Sequence, residues 1–360
     1  MIKTHVKASS EYDVITGSGI LDSVGSLIRE RDSKVTKALV VSETNVAPLY
    51  LDRVMASIKA AGIEAVELIY EAGEQSKNIN TIVNMWNKMA ENGFTRTDLL
   101  VALGGGVTGD MGGFAASTFL RGIKVCQIPT SLLAMVDASV GGKTGIDIPA
   151  GKNQVGAFWQ PMLVLEDTDC LKTLPDETFT EGMAEVIKYA CIMDTKLYDL
   201  LVEKKDLGIR IREDAELMEQ IVGMCVKDKD YVIEEDEFDN GLRQTLNFGH
   251  TIGHVIERNS NFSLPHGVCV AKGMGIIINS AVAKGTLPTD EADKMLELIK
   301  AYSLPVDDAI TPEDAVSGAM NDKKKRGNTI SLIVVNKIGK ADIVKMTPDE
   351  LLSFLKKESK

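Results

Sequence analysis

The sequence predicts an α/β plus α architecture, an N-terminal Rossmann-like parallel sheet domain followed by a mostly helical C-terminal domain. Three observations carry this expectation. Short apolar, β-branched runs alternate with helical stretches through the first part of the chain. A glycine-rich turn follows one of those runs directly, and beyond about Leu171 the pattern turns almost wholly helical as far as about residue 310. Strands alternating with helices build doubly wound parallel sheets. The expected division is 1–170 for the α/β domain and 171–360 for the helical one.

Taken in order, KALVVSE (37–43) is the first strand candidate, followed by a turn-like TNVAP and a helical pattern from Leu51 to Ala61. AVELIYE (65–71) is a second strand, leading into the helical stretch NINTIVNMWNKMAENG. DLLVALGGG (98–106) is a third strand running into glycines, and KVCQIPTS (124–131) a fourth. In LKTLPDETFTEGMAEVIKYACI, Thr178 and Glu181 have the spacing of a capping box ahead of apolar positions at helical spacing. SLIVVNKIGKADIV (331–344) reads as a late hairpin, and the chain closes in an amphipathic helix with a basic tail.

Composition narrows the function. The chain has 360 residues, 44% apolar and 26% charged, enough for two ordinary domains with a sizeable core. A net charge of −12 argues against nucleic acid or an anionic membrane surface as partner. The five cysteines, Cys126, Cys170, Cys191, Cys225 and Cys269, are dispersed and mostly flanked by apolar residues, so they read as small core hydrophobes. The start, MIKTHVKASSEYDV, lacks a signal-peptide apolar run, and the reading is a reducing, cytoplasmic compartment without a membrane span.

Gly104-Gly105-Gly106-Val107-Thr108-Gly109-Asp110 fits G-x-G-x-x-G between a strand and a plausible helix. Glycines allow the backbone to approach a pyrophosphate, and the helix N-terminus supplies N–H donors. Alone the match is weak, because a tight turn without ligand gives the same pattern. Thr44-Asn45, Gly73-Glu74-Gln75-Ser76-Lys77 and Pro129-Thr130-Ser131 follow the other strand candidates, so polar groups would line one edge of one sheet, where a dinucleotide lies. Asp137-Ala-Ser-Val-Gly-Gly-Lys143 and Gly151-Lys152-Asn153 set charged residues among small ones, which suits close approach to a phosphate or polyol.

Three of the four histidines fall together, as His250-Thr-Ile-Gly-His254 and His266. His250 and His254 share a helix face, and imidazoles suit a divalent ion. Spacing alone points to His250, His254 and His266, with a carboxylate still to be named. Glu185 and Lys188, one turn apart, are attractive, with a surface ion pair as the plain alternative. Ile252 and Gly253 offer no general base, so a zincin peptidase is excluded. Lys229, Arg243 with Asn247, and the run Lys323–Arg326 are cationic or amide groups able to hold phosphate and carboxylate.

Together the stretches GEQSK, GGGVTGDMGGFAASTFLRG, PTSLLAMVDASVGGKTGIDIP, GKNQVGAFWQP, LKTLP, EGMAEVIK, GLRQTLNFGHTIGH and PHGV resemble the 3-dehydroquinate synthase family over nearly the whole chain. The resemblance implies a dehydroquinate synthase-like fold, NAD, Zn²⁺ or Co²⁺, and a homodimer. It implies conversion of the phosphorylated small molecule 3-deoxy-arabino-heptulosonate 7-phosphate to 3-dehydroquinate and phosphate, through transient NAD oxidation, phosphate elimination, re-reduction and intramolecular aldol closure. Carried over by motif, the metal ligands are Glu185, His250 and His266, and His254 moves from the metal to proton transfer. Asp137, Lys143, Asn153, Lys188, Lys229, Arg243, Asn247, His254 and Lys324 are implied around the substrate, with Arg121 reaching phosphate from a partner subunit. NAD is implied at Glu74, Lys77, Gly106, Val107, Thr108, Gly109, Asp110, Thr130, Ser131, Lys143, Lys152 and Thr173. Sister sugar-phosphate cyclases, a metal-dependent polyol dehydrogenase and a non-catalytic NAD- and metal-binding regulator are the competing readings.

Overall fold

The computed structural model describes residues 1–323 and 329–356. The chain divides into two units, Met1–Leu174 with Arg212–Phe238, and Pro175–Ile211 with Asp239–Lys360.

The first unit is built on strands β1 (Ile2–Val6), β2 (Tyr12–Gly17), β3 (Lys37–Glu43), β4 (Glu64–Tyr70), β5 (Leu99–Gly104), β6 (Lys124–Pro129), β7 (Lys143–Ile148), β8 (Gly151–Phe158) and β9 (Leu163–Asp167). Helices α1 (Val24–Arg31), α2 (Ala47–Ala60), α3 (Ile79–Glu91) and α4 (Gly106–Thr118) connect them. The seven-stranded sheet has the order β1-β2-β9-β6-β5-β3-β4. All its pairings are parallel except β1 with β2. β5 is buried along its whole length, as a strand covered on both faces should be. β4, at the sheet edge, alternates in exposure instead. Leu39, Val41, Leu100, Ala102 and Val125 pack with Met85, Met111 and Phe114 in one core cluster.

The four strand candidates form as expected, and α2 begins earlier than Leu51, with a proline in its first turn. Lys143 and Gly151-Lys152-Asn153, expected to approach a phosphate or polyol, lie on a two-stranded antiparallel hairpin of β7 and β8.

Beyond Leu174 come α5 (Asp176–Ile192), α6 (Thr195–Lys204) and α7 (Ala215–Glu235). α5 starts directly after Pro175 with no side-chain cap, so Thr178 lies inside the helix and not at the expected capping box. A single boundary after residue 170 does not describe the chain, because α7 returns to the first unit and packs on β1 and β2. Gly223 of α7 faces the tip of Ile2 on β1: a Cβ there would stand 2.8 Å from Ile2 Cδ1, which a small side-chain shift would relieve.

The second unit continues with α8 (His250–Asn259), α9 (His266–Ala283), α10 (Thr289–Ala301), α11 (Pro312–Lys323), the hairpin β10 (Ile330–Lys337) and β11 (Lys340–Met346), and α12 (Pro348–Leu355). α12 opens with a capping box between Thr347 and Glu350. α9 is long and apolar enough to cross a membrane, but most of it is buried within this unit, as befits a core helix. All five cysteines are buried free thiols.

Candidate active site

In the second unit, α5, α8 and α9 bring five of the expected residues together. Glu185 and Lys188 stand one turn apart on α5 with side chains only 1% exposed, and Lys188 Nζ donates to Glu185 Oε2. This pair is therefore buried, not the surface ion pair of the plain alternative. The other oxygen, Oε1, is buried and has no hydrogen-bond partner among the described residues. It lies 3.5 Å from His250 Nε2 and 3.8 Å from His266 Nε2.

Each of those imidazoles has its second nitrogen at an acceptor. His250 Nδ1 is 3.1 Å from the Phe248 carbonyl, and His266 Nδ1 is 3.3 Å from Glu257 Oε2. His254 sits beside both, its ring centre 5.5 Å from that of His250 and 5.8 Å from that of His266. Burial pushes His250 well below its usual range, helped by Lys188 and the two other imidazoles. Burial also acts to lower His266, but the hydrogen bond to Glu257 and the charges of Glu185 and Glu257 outweigh it and raise the ring.

Glycine makes this convergence possible at two points. Gly267, next to His266, lies so close to α5 that a Cβ would stand 2.1 Å from the Glu181 carbonyl oxygen. Gly249 starts α8 at φ +80°, and a Cβ there would stand 2.6 Å from the Val270 carbonyl oxygen.

The donor set fits a divalent ion. Two donors about 2.1 Å from one tetrahedral ion stand roughly 3.4 Å apart, close to the separations found here. An orphaned buried carboxylate oxygen facing two Nε2 atoms is the pattern left by three ligands around an open position. Glu185, His250 and His266 each place a ligand atom within 4.8 Å of the other two, and so do His254, Glu257 and His266. Arg243, buried, and Asn247, half-buried, lie on the short Leu242–Asn247 turn just ahead of α8.

In the first unit, β3, β4, β5 and β6 run parallel, so their carboxyl ends share one edge. There the Thr130 N–H donates to the Gly104 carbonyl, and Thr44 Oγ1 accepts from the Ala72 N–H. The Gly106–Asp110 segment forms the first turn of α4. Its half-buried Val107 packs against the core cluster, and Thr108 Oγ1 bonds Tyr70 Oη at 2.7 Å. The Gly109 N–H closes the turn on the Gly105 carbonyl.

Lys77 is buried and bonds Asp110 Oδ2 at 2.6 Å. Burial acts to lower its ammonium, but the charges of Asp110, Glu74 and Asp147 outweigh that and hold it above its ordinary value. Lys152 reaches Glu74 at 3.8 Å. Ser131 Oγ accepts from the Ala134 N–H, and Thr173 Oγ1 bonds the Cys170 carbonyl.

Lys229, on α7 and only 4% exposed, bonds both Asp137 Oδ1, at 2.8 Å, and the Asp137 carbonyl. Lys143 is exposed at the start of β7. Asn153 is exposed on β8 at φ +53°, its N–H donating to Asp147 Oδ1. Arg121 is exposed and, with Leu120, adopts the left-handed backbone region. Lys324 lies outside the described residues.

Sequence reasoning missed Glu257, which meets His266. The signal was present: His250, His254 and Glu257 stand at i, i+4 and i+7 on one helix. Asp147, against Asn153, had no comparable signal.

The model of the 3-dehydroquinate synthase N-terminal region matches residues 67–181, and that of the C-terminal region matches 182–325. A 3-dehydroquinate synthase of Streptococcus gordonii is 42% identical over 349 residues, covering 96% of this chain and 97% of the relative. The chain belongs to the 3-dehydroquinate synthase family. Solved structures of related cyclases share the fold of this family member. A 2-epi-5-epi-valiolone synthase from Streptomyces hygroscopicus, with NAD⁺ and Zn²⁺ bound, superposes with TM-score 0.86 at 26% identity, covering 99% of this chain and 98% of that one. A 2-deoxy-scyllo-inosose synthase complexed with carbaglucose-6-phosphate, NAD⁺ and Co²⁺ has TM-score 0.86 at 23% identity, covering 98% and 99%.

Proposed function

We propose that this family member converts 3-deoxy-arabino-heptulosonate 7-phosphate to 3-dehydroquinate and phosphate, using NAD and Zn²⁺ or Co²⁺. The observation that carries the metal reading is the buried, unpartnered Glu185 Oε1 facing His250 Nε2 and His266 Nε2. Family membership, and the NAD⁺ and Zn²⁺ in the valiolone synthase, support the rest. When bound, the metal supplies a Lewis acid for a substrate hydroxyl oxygen and NAD supplies a reversible hydride acceptor.

The protein's own groups do the remaining work. Glu185, His250 and His266 hold the metal. Lys188 anchors Glu185 through Oε2, which leaves Oε1 aimed at the two imidazoles. His254, beside both ligand rings, takes the hydroxyl proton as general base, with Lys188 stabilising the developing negative oxygen. Lys143, Asn153, Lys229, Arg243, Asn247 and Lys324 hold phosphate and carboxylate, and Asp137 fixes Lys229. Glu74, Lys77, Lys143, Lys152, Thr173, the Gly106–Asp110 turn and Thr130–Ser131 bind NAD. Lys77, held protonated by Asp110, gives that region a fixed positive charge.

We also place Arg121 at the phosphate of a partner subunit in a homodimer, and the protein in a reducing cytoplasm, which suits five buried free thiols. Sedimentation of an Arg121→Ala protein that remains dimeric yet inactive would support the first point.

The deciding experiment incubates the purified protein with NAD, Zn²⁺ and the heptulosonate phosphate while following phosphate release and dehydroquinate formation. Turnover of sedoheptulose 7-phosphate with no phosphate release would make it a sister cyclase instead.

A further inference from the structure

His266 faces two carboxylates at once, and the two contacts use different ring nitrogens. Nε2 lies 3.8 Å from Glu185 Oε1, while Nδ1 lies 3.3 Å from Glu257 Oε2. A neutral imidazole carries one proton. If that proton sits on Nδ1 and is given to Glu257, the lone pair is left on Nε2, turned toward Glu185. His250 is arranged in the same way, but its Nδ1 meets the neutral Phe248 carbonyl. The two rings also differ in confinement. The His250 side chain is 13% exposed, whereas that of His266, the first residue of α9, is 31% exposed and so less held by packing.

Glu257 is well placed to hold it. Its side chain is 10% exposed and stands on the same face of α8 as His250 and His254, two turns beyond His250. One helix face thus carries a ligand, the proposed base, and a carboxylate that reaches across to the ligand on the next helix.

We propose that Glu257 is a positioning residue for the metal centre, fixing the tautomer and ring orientation of His266 so that its Nε2 completes the set with Glu185 and His250. The proposal rests on the metal reading above. It also chooses between two overlapping donor sets, because His254, Glu257 and His266 likewise lie within 4.8 Å of one another. In this assignment Glu257 serves as hydrogen-bond acceptor, and the ion belongs to Glu185, His250 and His266.

The test strips the full-length protein of metal with a chelator and measures Zn²⁺ affinity by competition with a chromophoric chelator. It also records the visible ligand-field spectrum with Co²⁺. Glu257→Leu should weaken Zn²⁺ binding about 10- to 100-fold, keep one site at saturation and shift the Co²⁺ bands. Glu257→Gln, whose amide oxygen still accepts from Nδ1–H, should restore most of the affinity. Glu257→Asp, with its acceptor drawn back by one methylene, should resemble Leu despite its charge, and serves if the Leu protein fails to fold. Glu185→Ala should lose the site.

Wild-type affinity in Glu257→Leu and Glu257→Asp, with Glu185→Ala still deficient, would overturn the positioning role and leave the metal reading intact. Glu257→Gln as weak as Leu, with Glu185→Ala binding normally, would place the ion in the other set and overturn the proposal. A wild-type protein that binds neither ion would instead remove the metal reading itself.

Discussion

Replacing Gly267 by alanine should damage the metal centre without touching any ligand. The glycine packs on the backbone of α5, where a Cβ would stand 2.1 Å from the Glu181 carbonyl oxygen and 2.8 Å from its carbon. Ordinary contact lies near 3.5 Å, so the overlap is roughly 1.4 Å, and backbone cannot yield as a side-chain tip would. α9 must withdraw from α5 at this point, and His266 is the adjacent residue. Metal ligation tolerates only about 0.2 Å of misplacement, so much of the strain should appear as lost affinity.

With overpacking at about 1–3 kcal/mol, Zn²⁺ should bind about 5- to 100-fold more weakly. The matched control is Gly275→Ala on the same helix, where a Cβ would stand 2.0 Å from the Val306 carbonyl oxygen, about two and a half turns from His266. Its overlap is the same but remote from the ligands. Zn²⁺ titration of both proteins, with denaturant unfolding of the metal-free forms, separates the effects. Both should lose stability, and only Gly267→Ala should lose affinity. Equal affinity losses in the two proteins would refute the reasoning.

Other outcomes follow from single contacts. Metal content should collapse in Glu185→Ala and survive in His254→Ala, whose turnover should fall sharply; elemental analysis beside phosphate release reads both, and full turnover in His254→Ala would remove its assigned role. Lys77→Met leaves the Asp110 carboxylate without its buried partner and should cost about 3–5 kcal/mol by urea unfolding. Adding Asp110→Asn should recover part of that in a double-mutant cycle, and NAD affinity should fall in the single variant. Burial pushes the Glu166 carboxyl up to about 8, against the hydrogen bond it accepts from Thr16. A folded-state value above the unfolded one gives stability that is present below about pH 4.5 and lost as pH rises toward 8, at ~1.4 kcal/mol per pH unit. Glu166→Gln should therefore match wild type near pH 5 and exceed it at pH 8; equal pH slopes in the two proteins would contradict this.

Much of the fold was legible because the buried strands carry their own signal. β3 and β5 carry continuous apolar runs, ALVV and LLVAL, and β6 is apolar but for Gln127, as strands covered on both faces mostly are. β1 was not legible, since IKTHV is mostly exposed and lacks an apolar run. The hairpin of β7 and β8 was hidden by its glycines, which imitate a loop. α7 carries a plain helical pattern, yet nothing local says that it packs on β1 and β2.

The same division runs through the site. Helical periodicity alone places His250, His254 and Glu257 on one face of α8 and Lys188 beside Glu185 on α5, because those relations depend only on residues a few positions apart. Which of three clustered imidazoles meets a buried carboxylate oxygen is a different kind of question. Glu185 lies far from His250 in the chain, and the two meet only because α5, α8 and α9 pack closely where Gly249 and Gly267 leave room. Spacing alone offered three histidines and the resemblance implied Glu185, His250 and His266; the packing of these helices brings a ligand atom of each of the latter three within 4.8 Å of the other two. Short-range spacing determines which side chains share a face, and only tertiary packing decides which faces meet.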